Sequence, residues 1–460
     1  MIRGRGVPRR DNVKRLRFVF FLLIALVVVA GQAAAIDFGF QLGSVTEVDT
    51  RQDDEWFNSE TLAAWLTHEF SQALSFQGQA SYTFTTERPF LVDLDVLYLD
   101  GDTAAGEAMR LGGRIGRFQV REATGYVFDH RLDGGRFSIS GRRSELTMAT
   151  GYTGLLLKPT ADLNMSRLDV IDEDDDDVVL APSRLVGVAE WAFPEVVPSQ
   201  NLTVSLVFQE DLRGEDDLVD EGTTEQQPGG GGRVDTQYTG VRFDGAIIGE
   251  LFYSVFGVFQ TGQTLSYVED DDSATGFSYR YKPIFAGAGG AGVRYYNREV
   301  LSSRGGLNLL FGTGDDDHQS VVEGNTEDSS NLFLPISGDT VGHVFQSGLG
   351  NTFSVHGFYS LKPLANAEAR TVRELQVGLD GFAFFRLVEG PVPADGVRPA
   401  GEGSYLGSEI DASVNYRPFS DLGISLIGGV FFPNGADDGP IAEADQDPAF
   451  AMKLEASFSF

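Results

Sequence analysis

Residues 449–460 read AFAMKLEASFSF, and this stretch decides the fold. Positions 450, 452, 454, 456, 458 and 460 are apolar, while Lys453, Glu455 and small residues fall between them. Because successive side chains of a strand point to opposite faces, the pattern predicts a strand with one apolar and one polar face. Such a strand either covers the core of a soluble sheet or faces lipid in a membrane barrel.

The same alternation recurs along the chain, with charged residues on the polar face. Clear examples cover 74–84, 374–387 and 409–417, and the last two carry Asp380, Arg386, Glu409, Asp411 and Arg417. A soluble sandwich rarely points such charges into its core, so a wet lumen is the simpler explanation. No segment after residue 35 offers 18 uninterrupted apolar residues. A membrane-embedded chain of this kind must therefore be a closed all-β barrel.

The N-terminus has the order of a secretory signal peptide. Seven basic residues precede the apolar run 18–30, which is followed by three alanines at 33–35. Thirteen apolar residues fall short of the roughly 20 that span a bilayer, so we expect cleavage near Ala35 rather than a permanent anchor. Residues 36–460 are then one barrel domain. Losing seven basic residues and one acidic residue makes its formal charge more negative than the -32 of the whole chain.

Counting back from Phe460, placed at the periplasmic end, gives eighteen strands, with sixteen as the alternative because 136–157 and 286–296 are weakly patterned. The predicted strands are 36–46, 60–70, 73–85, 90–99, 108–117, 136–141, 145–157, 183–193, 201–210, 235–246, 250–262, 286–296, 301–312, 350–361, 373–387, 404–417, 422–432 and 449–460. The predicted periplasmic turns are mostly short and the extracellular connections mostly long, as in bacterial barrels. The exceptions are 86–89, short and outside, and 362–372, long and inside. The predicted long extracellular loops are 158–182, 211–234, 263–285, 313–349, 388–403 and 433–448.

Acidic runs lie in the connections assigned to the outside. They are 172–177, 210–221, 269–272, 315–317 and 437–447. We interpret them as solvated surface, with loose Ca²⁺ or Mg²⁺ binding as the alternative, because no run has the spacing of an EF-hand. A chain this acidic is a poor partner for nucleic acid, and the absence of cysteine removes thiolate chemistry. We expect no cofactor, no dedicated metal site and no nucleic-acid partner.

Eight arginines fall between residues 110 and 143, and they are the main candidates for function. Arg110 and Arg114 share a face that should point into the lumen. Arg117 and Arg121 have the opposite parity, which implies a bulge near Gly116 or a loop that folds back toward the pore. The arginines either form a ladder that guides an anionic solute or pair with the lumenal Asp and Glu residues named above. The predicted pore-lining residues are Arg110, Arg114, Arg117, Arg121, Asp380, Arg386, Glu409, Asp411 and Arg417.

We do not expect an enzyme, and we predict no catalytic residues. The five histidines are scattered, and the one suggestive cluster, Asp129 and His130 beside Arg131, is more simply explained as an ion pair in a loop. Hydrolysis would need a nucleophile or activated water with a base and an orienting group in reach.

Two stretches resemble the alginate-export-type outer-membrane porins. In residues 111–155 an L-G-R strand, a loop and a D-G strand follow one another, and in 405–435 a G-x-E-x-D strand precedes one ending in F-x-x-G. Residues 311–317 with 331–335 are a weaker third match. The resemblance implies an eighteen-stranded monomeric porin with an arginine-lined lumen, in which Arg114 and Arg117 occupy the G-R positions and Glu409 and Asp411 lie on a lumenal strand. The long acidic loops depart from the family pattern, because they would repel a polyanion at the mouth.

The sequence therefore predicts a porin in the outer membrane of a two-membrane bacterium. The terminal aromatic Phe460 resembles the signal recognised by the barrel assembly machinery, so that machinery and outer-membrane lipids are expected partners. The expected activity is a passive, anion-favouring channel for small hydrophilic solutes such as sugars or oligosaccharides. The alternatives are a dedicated polysaccharide exporter and a surface adhesin on a plugged barrel.

Overall fold

Eighteen antiparallel strands make up nearly all of the regular structure. The computed structural model describes residues 36–51, 55–86, 88–161, 163–214, 231–271, 276–323, 325 and 329–460. The strands are β1(Ile36–Asp49), β2(Glu55–Ser71), β3(Leu74–Thr85), β4(Leu91–Ala104), β5(Arg110–Arg121), β6(Asp129–Ser140), β7(Glu145–Tyr152), β8(Arg184–Val197), β9(Gln200–Asp211), β10(Gly231–Ile248), β11(Leu251–Glu269), β12(Phe277–Asn297), β13(Ser303–Gly312), β14(Thr352–Leu361), β15(Gln376–Arg386), β16(Tyr405–Phe419), β17(Leu422–Pro433) and β18(Ala449–Ser459). The helices are short, α1(Arg167–Asp174) and α2(Arg370–Arg373), with 3₁₀ turns at Lys158–Thr160 and Glu443–Asp445.

The sheet closes because β1 pairs with both β2 and β18. At the seam, the N–H of Phe40 donates to the carbonyl of Phe460 (2.8 Å), and the N–H of Phe460 donates back to Phe40 (3.0 Å). Their ring centroids lie 5.6 Å apart. Every strand thus has two neighbours and the sheet has no free edge, as a bilayer requires. The predicted eighteen-stranded barrel is confirmed, and the alternative of sixteen strands is wrong.

The outer surface of the barrel is apolar, as lipid contact demands. In β18, Phe450, Met452 and Leu454 are each about half exposed, and the charged Lys453 and Glu455 lie on the opposite face. Outward apolar and inward polar residues alternate in this way around a membrane barrel. In the part of the chain that the structure describes, no helix is long and apolar enough to cross a bilayer.

Several predicted bounds differ from the observed ones. The stretch 263–285 was predicted as a loop, but β11 continues to Glu269 and β12 begins at Phe277. On β11 the exposed polar Gln263 interrupts the apolar face on which the strand prediction depended, whereas on β12 the exposed Tyr281 and Phe285 continue such a face. β6 begins at Asp129 rather than 136, and β15 begins at Gln376 because α2 occupies the periplasmic connection.

Of the remaining predictions about loops, some are confirmed and others are wrong. The short outer connection after β3 and the long periplasmic connection after β14 are confirmed. The acidic runs that start at residues 210 and 269 begin inside β9 and β11 rather than in loops. The predicted signal peptide 1–35, residues 215–221 of one acidic run and residue 272 of another lie outside the described residues.

The outer part of the β5–β6 hairpin leaves the barrel wall. β5 pairs with β4 only as far as Arg117, and β6 pairs with β7 only as far as Asp133. Residues 118–132, called the inner hairpin below, therefore pair only with one another within the sheet. This matches the second of the two sequence-based alternatives, a segment that folds back toward the pore.

Contacts with the far wall show that the inner hairpin enters the lumen. Arg242 of β10 lies between Val241 and Phe243, both exposed on the outer surface, so its side chain points inward. Its guanidinium donates to the carbonyl of Ala123 at the hairpin tip (2.7 Å). The neighbouring Tyr126 also reaches across the lumen, to β11.

A second segment crosses the lumen; it consists of residues 313–323, 325 and 329–351 and is called the cross loop below. The carbonyl of Leu334 accepts from the buried Tyr238 hydroxyl of β10 (2.5 Å), and its N–H donates to Gln260 of β11 (3.0 Å). Ile336 then donates to the carbonyl of Val127 in the inner hairpin (3.0 Å). The two inward segments thus brace each other inside the barrel.

The bend into the lumen begins at Gly116, where φ is +129°. A Cβ at this position would lie 2.1 Å from the carbonyl oxygen of Leu97. We expect Gly116→Ala to lower the free energy of unfolding by about 1–3 kcal/mol, because it combines a strained backbone with a clash against backbone. Urea unfolding of the detergent-solubilised protein, followed by tryptophan fluorescence, measures the effect.

Gly113→Ala is the matched control for this prediction. Gly113 lies on the same strand, has no left-handed φ, and a Cβ there would meet nothing within 4 Å. Equal stability of the two variants would contradict the role assigned to Gly116.

Candidate constriction and lumenal chamber

The inner hairpin and the wall from β10 to β15 enclose a lumenal chamber of about 380 Å³. The side chains that line it come from six strands and the hairpin tip. They include Thr124, Tyr126, Arg242, Ser254, Phe256, Arg294, Tyr296, Arg304, Asn308, His356, Phe358 and Asp380. Tyr126 stacks on Phe256 with ring centroids 5.3 Å apart and planes at 16°, which fixes one wall of the chamber. Burial raises the pKa of Tyr126, so its hydroxyl stays neutral and can donate.

The chamber is cationic along β12 and β13. Arg294 lies between the outward Val293 and Tyr295, and its guanidinium makes no hydrogen bond or ion pair within the described residues. Arg304 donates to the Ser360 hydroxyl (3.0 Å) and has no carboxylate partner among the residues described. Two guanidinium groups therefore face the chamber with their charge uncompensated by a direct ion pair.

The other charges of the chamber are paired. Arg242 contacts Asp244 (3.1 Å), and His356 Nε2 lies 2.8 Å from Asp380 Oδ1. The imidazole of His356 also stacks on Phe382, with centroids 4.1 Å apart. Asp380, one of the predicted pore-lining residues, is thus placed in the chamber beside an aromatic surface.

The four arginines predicted as a ladder are each paired with a carboxylate. Arg110 contacts Asp102 (3.1 Å), Arg114 contacts Asp100 (2.7 Å), Arg117 contacts Asp133 (2.7 Å) and Arg121 contacts Asp129 (2.9 Å). Ion pairing was the second arrangement that the sequence left open, but the partners are aspartates of the neighbouring strands β4 and β6 rather than the lumenal carboxylates named from the sequence. None of the four is among the residues that line the chamber.

Arg117 belongs to a buried polar cluster at the base of the inner hairpin. Its guanidinium donates to Asp133 and to the carbonyl of Leu155, and Arg131 donates to Asp93 (2.9 Å). The Thr160 hydroxyl donates to the same carboxylate (2.9 Å). Leu155 and Thr160 lie in the connection after β7, so the cluster also ties that connection to the wall. The arginines of this cluster stabilise the base of the inner hairpin and are largely shielded from solvent.

Glu409 anchors the cross loop. Its fully buried carboxylate accepts backbone N–H groups of His343, Val344 (3.0 Å) and Phe345 (2.8 Å). The Phe345 ring stacks on Phe431 of β17, with centroids 4.5 Å apart. Burial lowers the pKa of His343, so its imidazole is neutral at neutral pH. Glu409, predicted to line the pore, therefore faces inward, but its carboxylate binds the backbone of the cross loop.

The remaining predicted residues are dispersed. Asp411 is buried on the same face of β16 as Glu409. Arg386 is 2% exposed and donates to the carbonyls of Pro399 (2.9 Å) and Gly403 (2.8 Å), which holds the connection 387–404. Arg417 lies near the periplasmic end and donates to the carbonyl of Ser420 (2.6 Å). The structure does not bring these side chains together with the predicted arginines.

Sequence reasoning missed Glu122, Arg294 and Arg304. Glu122 is 2% exposed, and its carboxylate accepts the N–H groups of Thr124 (2.8 Å), Tyr126 (3.0 Å) and Val127 (3.1 Å), which shapes the hairpin tip. Nothing in the sequence marks this turn. Arg294 could have been found, because Val293 and Tyr295 alternate with it inside a predicted strand.

Solved structures with the same architecture come from Pseudomonas aeruginosa. OccK2 (OpdF) has a TM-score of 0.54 at 10% identity, with 92% of this chain and 97% of that chain covered. OpdQ has 0.53 at 9%, covering 93% and 99%, and the outer membrane protein OpdK has 0.52 at 9%, covering 93% and 99%. This chain has their fold.

At this identity the likeness shows the fold alone. It fits the architecture of a protein that resides in the outer membrane. No family model and no curated protein matches the chain, so the resemblance to alginate-export-type porins has no support from those comparisons.

Glu409→Ala tests the anchor of the cross loop. The substitution leaves buried N–H groups without an acceptor, which costs about 1–3 kcal/mol locally. We expect amide hydrogen exchange at residues 343–345 to accelerate roughly tenfold or more, because exchange follows local opening.

Glu455→Ala is the control, since this lumenal carboxylate pairs with Lys453 (2.8 Å) and not with the loop. Unchanged exchange at 343–345 in Glu409→Ala would show that the loop is held by its other contacts.

Proposed function

We propose that the protein is a passive outer-membrane channel for small hydrophilic solutes and that it favours anions. The observation that carries the proposal is the pair of arginines, Arg294 and Arg304, that face the chamber without a carboxylate partner. Rings or rows of arginine in a pore attract anions, and a guanidinium can hold a carboxylate through two parallel hydrogen bonds. The proposal requires no cofactor and no covalent chemistry.

The chamber also offers surfaces for the uncharged part of a solute. Tyr126, Phe256 and Phe358 present aromatic rings, and Asn308 and Ser254 present polar groups. A sugar acid combines hydroxyls, an apolar ring face and a carboxylate, which suits this lining. OccK2, which shares the fold, has been crystallised in complex with glucuronate. We therefore propose small sugar acids as the first solutes to test.

The acidic outer connections argue against export of a long polyanion. Asp176 and Asp437 are exposed in connections at the extracellular end, where like charge repels an anionic polymer that needs many contacts at once. At physiological salt, screening limits this repulsion to distances of roughly 8 Å. A small anion is therefore repelled only while it passes close to an acidic side chain. This favours a small solute over a polysaccharide.

Reversal potentials in planar bilayers test the anion preference. A solute charge about 6 Å from an arginine in water gains roughly 0.7 kcal/mol, or about threefold. We expect Arg294→Gln and Arg304→Gln each to lower the ratio of anion to cation permeability by about threefold.

The matched control removes an ion pair whose two charges cancel. Arg114→Gln combined with Asp100→Asn deletes a charge pair without changing net charge, so selectivity should stay as in the unmodified protein. An unselective or cation-selective wild-type channel would defeat the anion preference, and absence of conductance at any voltage would defeat the channel.

A further inference from the structure

A polar patch interrupts the lipid-facing surface of β1 and β2. This outer patch consists of Ser44, Thr46, Asn58 and Glu60. Leu42 and Leu62, two residues further toward the periplasmic end of each strand, are 46% and 44% exposed on the outer surface. Because side chains of one parity share a face, the four polar residues point outward as well. They lie opposite each other in register, Ser44 with Glu60 and Thr46 with Asn58.

The patch lies inside the apolar band rather than at a strand end. On β3, the residue opposite Glu60 is Phe84, which is 40% exposed. Trp56, four residues closer to the extracellular end on β2, is 67% exposed. Other outward carboxylates such as Glu210 and Asp235 lie near the extracellular ends of their strands. Glu60 therefore has exposed apolar neighbours on both sides along its own strand.

Hydrogen bonds within the patch involve four of its six side-chain nitrogen and oxygen atoms. The Ser44 hydroxyl donates to Glu60 Oε1 (2.9 Å), and the Thr46 hydroxyl donates to Asn58 Oδ1 (3.0 Å). Within the described part of the chain, Glu60 Oε2 has no donor and the Asn58 amide has no acceptor. The patch thus presents one free acceptor and one free donor group, two residues apart on one strand and roughly 7 Å from each other.

Lipid tails cannot satisfy these groups. A carboxylate on the lipid face of a barrel is destabilising in proportion to its depth, and hydrogen bonding and packing, rather than the hydrophobic effect, drive association between proteins in a bilayer. A surface that offers both a free donor and a free acceptor is complementary to a second copy of itself.

We propose that the outer patch is an interface at which a second copy of this chain packs about a two-fold axis along the membrane normal. Such an axis keeps each residue at the same depth in both copies, and the Asn58 amide of one copy donates to the Glu60 carboxylate of the other. A groove of about 400 Å³ beside the patch, lined by Leu42, Leu62, Tyr82, Leu422 and Phe458, receives apolar side chains of the neighbour. This assembly departs from the monomer implied by the resemblance to alginate-export-type porins.

The test measures the oligomeric state of the full-length mature protein in lipid nanodiscs or mild detergent, by light scattering and native mass spectrometry. We expect the unmodified protein to be a dimer. Glu60→Leu should weaken the dimer at least tenfold, while Glu60→Gln, which keeps an acceptor, should retain it. Thr239→Leu is the matched control, because Thr239 is an outward polar residue of β10 beside the exposed Leu206.

Glu60→Leu places an apolar residue in an apolar band, so it should fold, and heat-dependent gel mobility verifies this for each variant. A wild-type protein that is monomeric at all concentrations would overturn the proposal, including the case in which a lipid head group occupies the patch. A dimer that survives Glu60→Leu would overturn it as well, by placing the interface elsewhere. Both readouts are independent of conductance, so they do not depend on the proposed channel.

Discussion

The constraint on which the whole structure depends is that lipid offers no hydrogen-bond partner to a peptide group. Every N–H and C=O within the bilayer must be paired inside the protein. Here the requirement is met when β1 pairs with β18, so the seam between Phe40 and Phe460 completes a ring of eighteen strands. The alternation of apolar and polar residues follows from this ring, because one face of each strand contacts lipid and the other lines the lumen.

The lumen is then narrowed by segments that leave the wall. Each is fixed by one buried carboxylate that accepts several backbone N–H groups, Glu122 for the inner hairpin and Glu409 for the cross loop. A carboxylate is well suited to this task because it has several lone-pair sites and its charge strengthens each bond. The arginines near these segments form ion pairs, whereas Arg294 of β12 and Arg304 of β13 line the chamber without a carboxylate partner among the described residues. An arginine with an aspartate opposite it on a neighbouring strand therefore stabilises the structure, and an arginine without one faces the chamber.

Strand number and order were predictable because they follow from a periodicity of two, which local sequence carries. The inward path of the inner hairpin was one of two alternatives that the parity of its arginines left open. The path of the cross loop was not predicted, because it depends on contacts such as Ile336 with Val127 that join distant parts of the chain. The arginine ladder was placed on β5 by the density of arginines and by strand parity, and neither reveals that Asp100, Asp102 and Asp133 lie across the neighbouring strands. Arg294 was overlooked because glycines at 287, 289, 290 and 292 weaken the pattern of its strand.

The central claim is that a solute can enter a chamber whose field is set by unpaired arginines. The chain has no cysteine, so Asn308→Cys places a single thiol in that chamber without background reaction. The most direct measurement is the rate at which anionic and cationic thiosulfonate reagents of similar size modify this thiol while current is recorded across a planar bilayer. The account predicts that both reagents reach the thiol and reduce the current, and that the anionic reagent reacts faster. A thiol that neither reagent reaches, or one that the cationic reagent modifies faster, would contradict it.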